Sequence, residues 1–131
     1  MPAEAHHPVG ELTIRTLAMP ADANPGGNIF GGWVLSQMEM AAGLCAGQRA
    51  QGRIALVAIE AMNFLKPVHI GDVLCVYTSI QREGRTSLAI ALEAWVLRNR
   101  IGEMVKVTDG VFTLVALDEN GRSRPLPQDR P

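Results

Sequence analysis

Glu39 is the only charged side chain between Asp22 and Arg49, and it lies in the middle of a run of apolar and small residues. A carboxylate in such a run is costly to bury unless it is paired, hydrogen-bonded or neutralised. Proteins tolerate that cost mainly where the carboxylate has a function. Glu39 is therefore the leading candidate for a functional residue.

Residues 30–48 are predicted to form one long helix around this carboxylate. Side chains three and four positions apart share a helix face. Glu39 therefore lies on one stripe with three small residues, which are Gly32, Ser36 and Gly43. Because its neighbours are small, the carboxylate can face a groove that a ligand could enter. In the alternative interpretation, the glycines only permit close backbone packing and Glu39 pairs with a cation of a partner chain.

Two glycines, Gly31 and Gly32, open the predicted helix. Backbone N–H groups at a helix start have no partner within the helix and lie at the positive end of its dipole. A carboxylate or thioester oxygen could therefore bind there. The alternative is an ordinary junction between loop and helix. Residues 26–32 match neither the P-loop nor the dinucleotide-binding fingerprint.

Composition indicates a globular protein of one domain. The chain has 131 residues, 47% of them apolar and 19% charged, which allows one hydrophobic core and argues against disorder. The formal net charge is −1 and no basic patch is apparent, so nucleic acid is not an expected partner. The domain is predicted to span residues 1–131, with flexible ends at residues 1–10 and 125–131.

Nothing in the sequence indicates secretion or insertion into a membrane. The first ten residues are polar and lack the apolar core of a signal peptide. The predicted helix contains Ser36, Gln37 and Glu39, and it lacks the roughly 20 apolar residues of a membrane span. Cys45 and Cys75 lie in apolar segments and do not suggest a disulfide framework. We therefore expect a soluble, cytoplasmic protein with no membrane partner.

The hydrophobic pattern predicts five strands. Residues 11–18, 53–65, 73–81, 86–98 and 103–117 are rich in β-branched and apolar side chains or alternate between apolar and polar ones. Residues 19–28, with two prolines, two asparagines and two glycines, are predicted to form a loop. A tight turn at residues 83–85 is predicted to give Gly84 a positive φ. One helix and strands joined by short turns predict an α+β fold with an antiparallel sheet.

The predicted helix is apolar on nearly all of its sides, so other elements must cover most of it. A single sheet that curls around the helix can cover one side. A second subunit is the expected cover for the remaining sides.

Several segments, taken together, resemble the hotdog-fold acyl-CoA thioesterases, in particular the YciA-like group. They are residues 22–33, 36–39, 62–64, 66–68, 71–73, 84–87, 107–113 and 118–122. The resemblance covers roughly residues 15–127. It implies a hotdog fold, in which a curved antiparallel sheet of about five strands wraps one long central helix. It also implies a dimer with a continuous sheet, commonly assembled into a trimer of dimers, with active sites at the dimer interface.

The resemblance implies an acyl-CoA thioester hydrolase whose catalytic carboxylate is Glu39, where the YciA-like group usually has aspartate. Related thioesterases pair this carboxylate with an asparagine of the opposite subunit, which corresponds to Asn24. Glu39 would act as a general base, or as a nucleophile through a transient anhydride. The N–H groups of Gly31 and Gly32 would stabilise the oxyanion, and Asn24 would orient the water or the substrate.

The resemblance makes acyl-CoA the substrate and free fatty or organic acid and CoA the products, so neither a separate cofactor nor a metal is expected. Cations and a turn with free N–H groups would hold the CoA phosphates and the pantetheine arm. The candidates are Lys66, Gly84, Arg85, Thr86, Ser87, Arg122 and Arg124. In the alternative interpretation, each cation is an ordinary solvated surface residue.

Other readings of the sequence are weaker. Dehydratases and hydratases of the same fold use a histidine with a carboxylate, but His6, His7 and His69 do not lie beside Glu39 and lack metal-ligand spacing. Asp109 precedes a glycine inside a predicted strand, which is more typical of a β-bulge than of a site. A non-catalytic acyl-CoA-binding or sensing protein remains the alternative function, since it would keep the arginines and the groove without needing Glu39.

Overall fold

The computed structural model describes residues 7–99 and 102–128 of the chain. His6 and parts of the two ends predicted to be flexible, residues 1–10 and 125–131, lie outside the described residues. In the described parts of these ends, the N–H of Val9 donates to a carboxylate oxygen of Glu93, and the N–H of Leu126 donates to the carbonyl of Arg85. Flexibility of the two ends stays a prediction.

One long helix and five strands make up the described chain. Helix α1 spans Gly31–Ala50, and the strands are β1 (Glu11–Leu17), β2 (Ile54–Phe64), β3 (Val73–Glu83), β4 (Ser87–Leu97) and β5 (Met104–Ala116). A single 3₁₀ turn, Pro20–Asp22, lies within the predicted loop. The predicted helix and all five predicted strands are confirmed, with each end placed within two residues.

The strands form one antiparallel sheet in the order β1-β3-β4-β5-β2, so β1 and β2 are its edges. The apolar alternation predicted for β4 is confirmed, since its even-numbered residues from Leu88 to Val96 are all buried. This face of the sheet packs against α1, which contacts all five strands. Side chains on the opposite face are mostly less buried.

Helix α1 is buried on one side only. Met38, Ala41 and Ala42 are 0% exposed against the sheet, and the small alanines allow the helix and strands to approach closely. On the other side, Met40 and Leu44 are 49% and 55% exposed. The sheet therefore covers part of the apolar helix, as predicted, and the side that carries Glu39 is left uncovered by the described chain.

The C-terminal end of α1 is held by a pairing that local sequence patterns do not reveal. Gln51 ends the helix in the left-handed region, with φ of 55°. In the last turn, Arg49 donates from Nε and Nη2 to both carboxylate oxygens of Glu83 at 2.9 Å, and from Nη1 to the carbonyl of Pro127 at 2.8 Å. Arg49 is 7% exposed, so this bidentate pair fastens the helix to the end of β3 inside the domain.

The prediction that Gly84 has a positive φ is wrong, since this residue is not among those with positive φ. Its N–H donates to the Ser87 carbonyl at 2.9 Å, and a Cβ at Gly84 would lie 2.8 Å from Ser87 Oγ. Glycine at this turn therefore permits a close approach between β3 and β4, and a left-handed backbone is not the reason for it.

Candidate functional site

Glu39 lines a groove on the uncovered side of α1. The groove has a volume of about 530 Å³, and we call it the Glu39 groove. Its lining residues are Ser36, Glu39, Met40, Gly43, Ile54, Ala55, Leu56 and Leu114. The predicted stripe of small residues is thus confirmed for Ser36 and Gly43. Gly32 lies two turns away and is not part of the groove.

The carboxylate of Glu39 is exposed in the described chain. The cost of burial, from which the sequence argument began, therefore does not arise within one subunit. It would arise only if another molecule covered the groove. Apart from Glu39, the lining consists of small and apolar residues and one serine, so a carboxylate at this position can meet a ligand without competition from another charged side chain of the groove.

A second cavity, of about 330 Å³, lies beside the first turn of α1, and we call it the N-terminal pocket. It is lined by Ile29, Gly31, Val34, Phe64, Leu65, Lys66, Pro67, Val68 and Thr108. Gly31 and Lys66 are exposed and form its rim, whereas Thr108 is 0% exposed and lies at its inner end. The pocket is therefore mainly apolar, with a cation at the rim and a hydroxyl inside. Thr108 was not among the residues singled out from the sequence.

Asn24 closes the loop that leads into α1. Its N–H donates to the carbonyl of Asn28 at 2.7 Å, and its Oδ1 accepts from the N–H of Asn28 at 3.2 Å. Gly27, with φ of 96°, donates to the carbonyl of Asn24 at 3.0 Å, a conformation that glycine adopts readily. Within the described chain, Asn24 Nδ2 makes no hydrogen bond, so this donor is the part of the amide that a ligand could use.

A buried ion pair between Asp72 and Arg98 stabilises residues 66–72, the segment beside the loop that contains Asn24. The N–H of Ile29 donates to the carbonyl of Val68 at 2.9 Å, which ties the start of α1 to residues 66–72. Asp72 is 3% exposed, and its carboxylate accepts the N–H of His69 at 2.8 Å. Arg98 donates to both oxygens of the same carboxylate, at 3.3 and 2.9 Å. Sequence reasoning missed this pair because the two residues are 26 positions apart, Asp72 just before β3 and Arg98 just after β4. The Gly-Asp turn was the local signal of the pair.

Glu39 and the glycines that open α1 do not meet within one chain. Gly31 and Glu39 are separated by eight residues, which is about 12 Å along a helix that rises 1.5 Å per residue. Gly31 lines the N-terminal pocket, whereas Glu39 lines the other cavity. A single subunit therefore does not bring the predicted carboxylate and the predicted oxyanion donors to one ligand atom.

The predicted CoA contacts lie at opposite ends of the sheet. Lys66 donates its N–H to the carbonyl of Val107 at 3.2 Å. The last residue of the turn at residues 84–87 is Ser87, which pairs with Val115 of β5. Val107 and Val115 are eight residues apart on β5, which is about 26 Å of strand. One chain therefore does not bring Lys66 and Arg85 to the same phosphate.

The predicted arginines differ in what their side chains contact. Arg85, in the turn at residues 84–87, and Arg122, whose N–H donates to Asp118 Oδ1 at 2.9 Å, are both exposed. Arg124 donates to the carbonyls of Leu117 and Ala50, at 3.0 and 2.8 Å, so its guanidinium holds the C-terminal end of α1. Contact of any of these side chains with CoA stays a prediction.

Asp109 lies on the face of β5 that is turned away from α1, because the neighbouring Thr108 and Gly110 are on the inner face. Burial alone would raise the pKa of Asp109, but hydrogen bonds from Asn63 at 3.1 Å and from Lys106 at 3.0 Å outweigh burial and hold that pKa below its ordinary value. The pairing of β2 with β5 shifts register opposite this position, but the extra residue lies in β2, between Glu60 and Asn63, so the β-bulge expected at Asp109 is not on β5. Asp109 therefore has structural partners and does not line the Glu39 groove.

Metal-binding clusters and membrane-spanning helices are both absent from the described residues. In residues 7–99 and 102–128, no group of three or more His, Cys, Asp or Glu side chains is placed to hold a metal ion. The helix that the structure describes is not apolar enough over its length to cross a membrane.

Known proteins are similar in sequence to this chain over most of its length. Residues 26–103 match the thioesterase superfamily. An uncharacterized acyl-CoA thioester hydrolase of Haemophilus influenzae is 50% identical over 123 residues, which cover 92% of this chain and 80% of the relative. The acyl-CoA thioester hydrolase YciA of Escherichia coli K12 is 46% identical over 123 residues, covering 92% of this chain and 93% of the relative.

A solved structure agrees with the fold described above. The crystal structure of a hexameric thioesterase from Yersinia pestis matches with a TM-score of 0.90 and 46% sequence identity. The match covers 94% of this chain and 100% of the Yersinia chain. The likeness thus extends over the long helix and the five-stranded sheet.

Proposed function

Since the chain belongs to the thioesterase superfamily, we propose that it hydrolyses acyl-CoA thioesters to a free fatty or organic acid and CoA. The predicted resemblance to the hotdog-fold thioesterases is confirmed by the same relatives. The observation that carries the proposal is the Glu39 groove, in which a lone exposed carboxylate stands among small and apolar residues. That arrangement suits a base acting on a water beside an acyl group.

The outer edge of β2 supports a site that two subunits share. Among the described strands, β2 has no neighbour on this side, and Val57 and Ile59 are 57% and 42% exposed. An exposed apolar edge strand is a template for pairing with another chain. Pairing of β2 with its own copy around a two-fold axis would continue the sheet through both subunits.

Such pairing would bring opposite ends of the two helices together. The Phe64 end of β2 packs on Gly31, with the ring 3.4 Å from where a Cβ would stand, and the Ile54 end packs beside Gly43 at 3.8 Å. In an antiparallel pair related by a two-fold axis, the Phe64 end of one β2 faces the Ile54 end of the other. The start of the partner's α1 would thus reach the Glu39 groove.

The proposed reaction uses groups of both subunits. Glu39 takes a proton from a water molecule as the water oxygen attacks the thioester carbon. The N–H groups of Gly31 and Gly32 of the partner subunit stabilise the oxyanion, because a helix start presents unpaired donors and a positive dipole end. When the carbon–sulfur bond breaks, the proton held by Glu39 goes to the departing thiolate, which leaves as CoA. Direct attack by Glu39 through an anhydride is the alternative course.

Asn24 and the cations complete the proposal. Asn24 of the partner subunit would donate from Nδ2 to the water or the substrate, since its Oδ1 is already held by the loop. The turn at residues 84–87 lies two strands from Ala55, about 10 Å at the usual strand spacing, so the CoA tail could run from the Glu39 groove to Arg85. Lys66 of the partner subunit would then lie at the end of the shared site opposite to Arg85.

We also propose that this chain assembles beyond the dimer. The Yersinia pestis relative is a hexameric thioesterase, and a hexamer is compatible with a trimer of dimers. Sedimentation of the purified protein tests this: a mass of six subunits is expected, and a monomer would contradict both the hexamer and the shared site.

Thiol release from a panel of acyl-CoA substrates tests the proposed activity. Wild-type protein is expected to release CoA, and Glu39→Gln is expected to lose about 10²- to 10⁴-fold in kcat, the usual contribution of a general base. Glu103→Gln removes an exposed carboxylate far from the groove and serves as the matched control, with unchanged activity.

Two outcomes would contradict the proposal. Equal thiol release by wild type and Glu39→Gln would remove Glu39 from the mechanism. Tight binding of acyl-CoA with no release by either protein would favour the alternative, a non-catalytic acyl-CoA-binding or sensing protein.

A further inference from the structure

Thr108 carries a buried hydroxyl that the fold does not use. The residue is 0% exposed, and its Oγ1 has no hydrogen-bond partner in the described part of the chain. A buried hydroxyl without a partner destabilises the folded state, because the hydrogen bonds it made to water are lost and not replaced. Valine has nearly the same shape, suits a strand equally well and would avoid this cost. A hydroxyl at this position is therefore unfavourable unless a molecule outside the chain pairs with it.

The position of Thr108 shows where such a molecule would lie. Thr108 lines the N-terminal pocket together with Ile29, Val34 and Val68, which are 6%, 3% and 3% exposed. These aliphatic residues form the inner part of the cavity, and the Thr108 hydroxyl is the polar side-chain group among them. A volume of about 330 Å³ lies at the lower end of the range for small-molecule sites.

The two ends of the pocket suit different parts of an acyl thioester. Gly31 stands at the exposed rim, where the helix start offers N–H donors to the reacting carbonyl. An acyl chain whose carbonyl lies at this rim would extend inward along the aliphatic residues. Thr108, at the buried end, would then meet the acyl chain and would lie away from the carbonyl.

We propose that Thr108 is a specificity-determining residue that selects acyl groups with an oxygen substituent on the chain, such as 3-hydroxyacyl or 3-oxoacyl groups. The proposal rests on the hydrolase function proposed above. A threonine hydroxyl both donates and accepts, so it can pair with either a hydroxyl or a keto oxygen. A plain aliphatic chain leaves the hydroxyl unpaired and gains nothing from it.

Paired substrates test this role. The kcat/KM of wild type, Thr108→Val and Thr108→Ser is measured for butyryl-CoA and for 3-hydroxybutyryl-CoA. Thr108→Val is expected to lower kcat/KM for 3-hydroxybutyryl-CoA by about 3- to 10-fold, the value of one net hydrogen bond, and to leave butyryl-CoA within about twofold. Thr108→Ser retains the hydroxyl and is expected to retain the preference.

Thermal unfolding of the free proteins separates this role from a structural one. If the hydroxyl is unpaired in the free protein, Thr108→Val is expected to unfold at the same or a higher temperature than wild type. A clear loss of stability in Thr108→Val would show that the hydroxyl serves the fold, and it would overturn the proposal.

The kinetic outcomes distinguish two failures. Hydrolysis of neither substrate by wild type would overturn the proposed function, and the selection by Thr108 with it. Hydrolysis of both, with an equal loss or no loss in Thr108→Val, would overturn the selection alone. An equal loss would place the hydroxyl at the thioester carbonyl, and no loss would mean that the chain does not reach it.

Discussion

Gly31 and Glu39 belong to the same helix but to different cavities: Gly31 lies under the ring of Phe64 in the N-terminal pocket, and Glu39 lies about 12 Å further along the axis in the Glu39 groove. Each subunit thus carries two halves of the proposed site that do not face each other. Pairing of β2 with its copy joins the half from one subunit to the complementary half from the other.

Subunit mixing tests this arrangement. Asn24→Ala and Glu39→Gln are each expected to be nearly inactive. Co-expression with two affinity tags gives assemblies that contain both variants, and a dimer within them that has one chain of each is a mixed dimer. In a shared arrangement, one site of that mixed dimer has both native residues, so it is expected to have about half of the wild-type activity. The separately purified variants are the controls, and a mixed dimer as inactive as its parents would place both residues in one chain.

The length of the Glu39 side chain gives a second prediction. Glu39→Asp keeps the charge but withdraws the carboxylate by one methylene from a groove shaped for glutamate. Because a misplacement of about 1 Å can cost on the order of 10²-fold, kcat is expected to fall about 10- to 100-fold with little change in KM. The measurement is steady-state thiol release, and full activity of Glu39→Asp would mean that the site tolerates either length.

The pair of Arg98 and Asp72 is expected to stabilise the domain strongly. The carboxylate of Asp72 is 4% exposed, so Arg98→Ala leaves a buried charge without its partner and is expected to lower the free energy of unfolding by about 2–4 kcal/mol. Urea denaturation measures the loss. Lys106→Ala is the control, since its pairs with Glu93 and Asp109 are more exposed and are expected to contribute about 1 kcal/mol or less. Equal effects of the two substitutions would contradict this interpretation.

The lowered pKa of Asp109 gives a pH-dependent prediction. A carboxyl group whose pKa is lowered by folding adds stability above its unfolded-state pKa of about 3.9, and that stability disappears as pH falls through the lowered value. Asn63→Ala removes one donor and is expected to raise the pKa of Asp109 toward its ordinary value. The variant should therefore unfold more easily than wild type at pH 7 through this charge effect, by about 1 kcal/mol or less because the pair is partly exposed.

Urea denaturation at pH 7 and at pH 2.5 measures this difference. The charge-dependent part of the loss in Asn63→Ala is expected at pH 7 and should shrink as the pH falls toward 2.5, because protonation of Asp109 removes its charge. Asn120→Ala, in an exposed turn, is the control and should behave like wild type at both values. A loss in Asn63→Ala that is the same at both pH values would show that Asn63 does not act through the charge of Asp109.

The elements of this protein could be predicted from the sequence because their signals are local. The apolar alternation of β4 and the small-residue stripe at Ser36, Glu39 and Gly43 depend only on the periods of strand and helix, which are set by backbone geometry. The prediction for Gly84 was wrong because glycine has two uses at a turn, and only the packing of Ser87 against it distinguishes close approach from a positive φ.

By itself, the sequence determined one long helix, five strands and a single carboxylate on an apolar helix face, since each of these follows from neighbouring residues. Only the tertiary structure decided which candidates lie together. It separated Glu39 from Gly31 and Lys66 from Arg85, and it placed Thr108 at the inner end of a pocket. Such relations depend on strand order, register and the direction of the helix across the sheet, which arise from contacts between residues far apart in the chain.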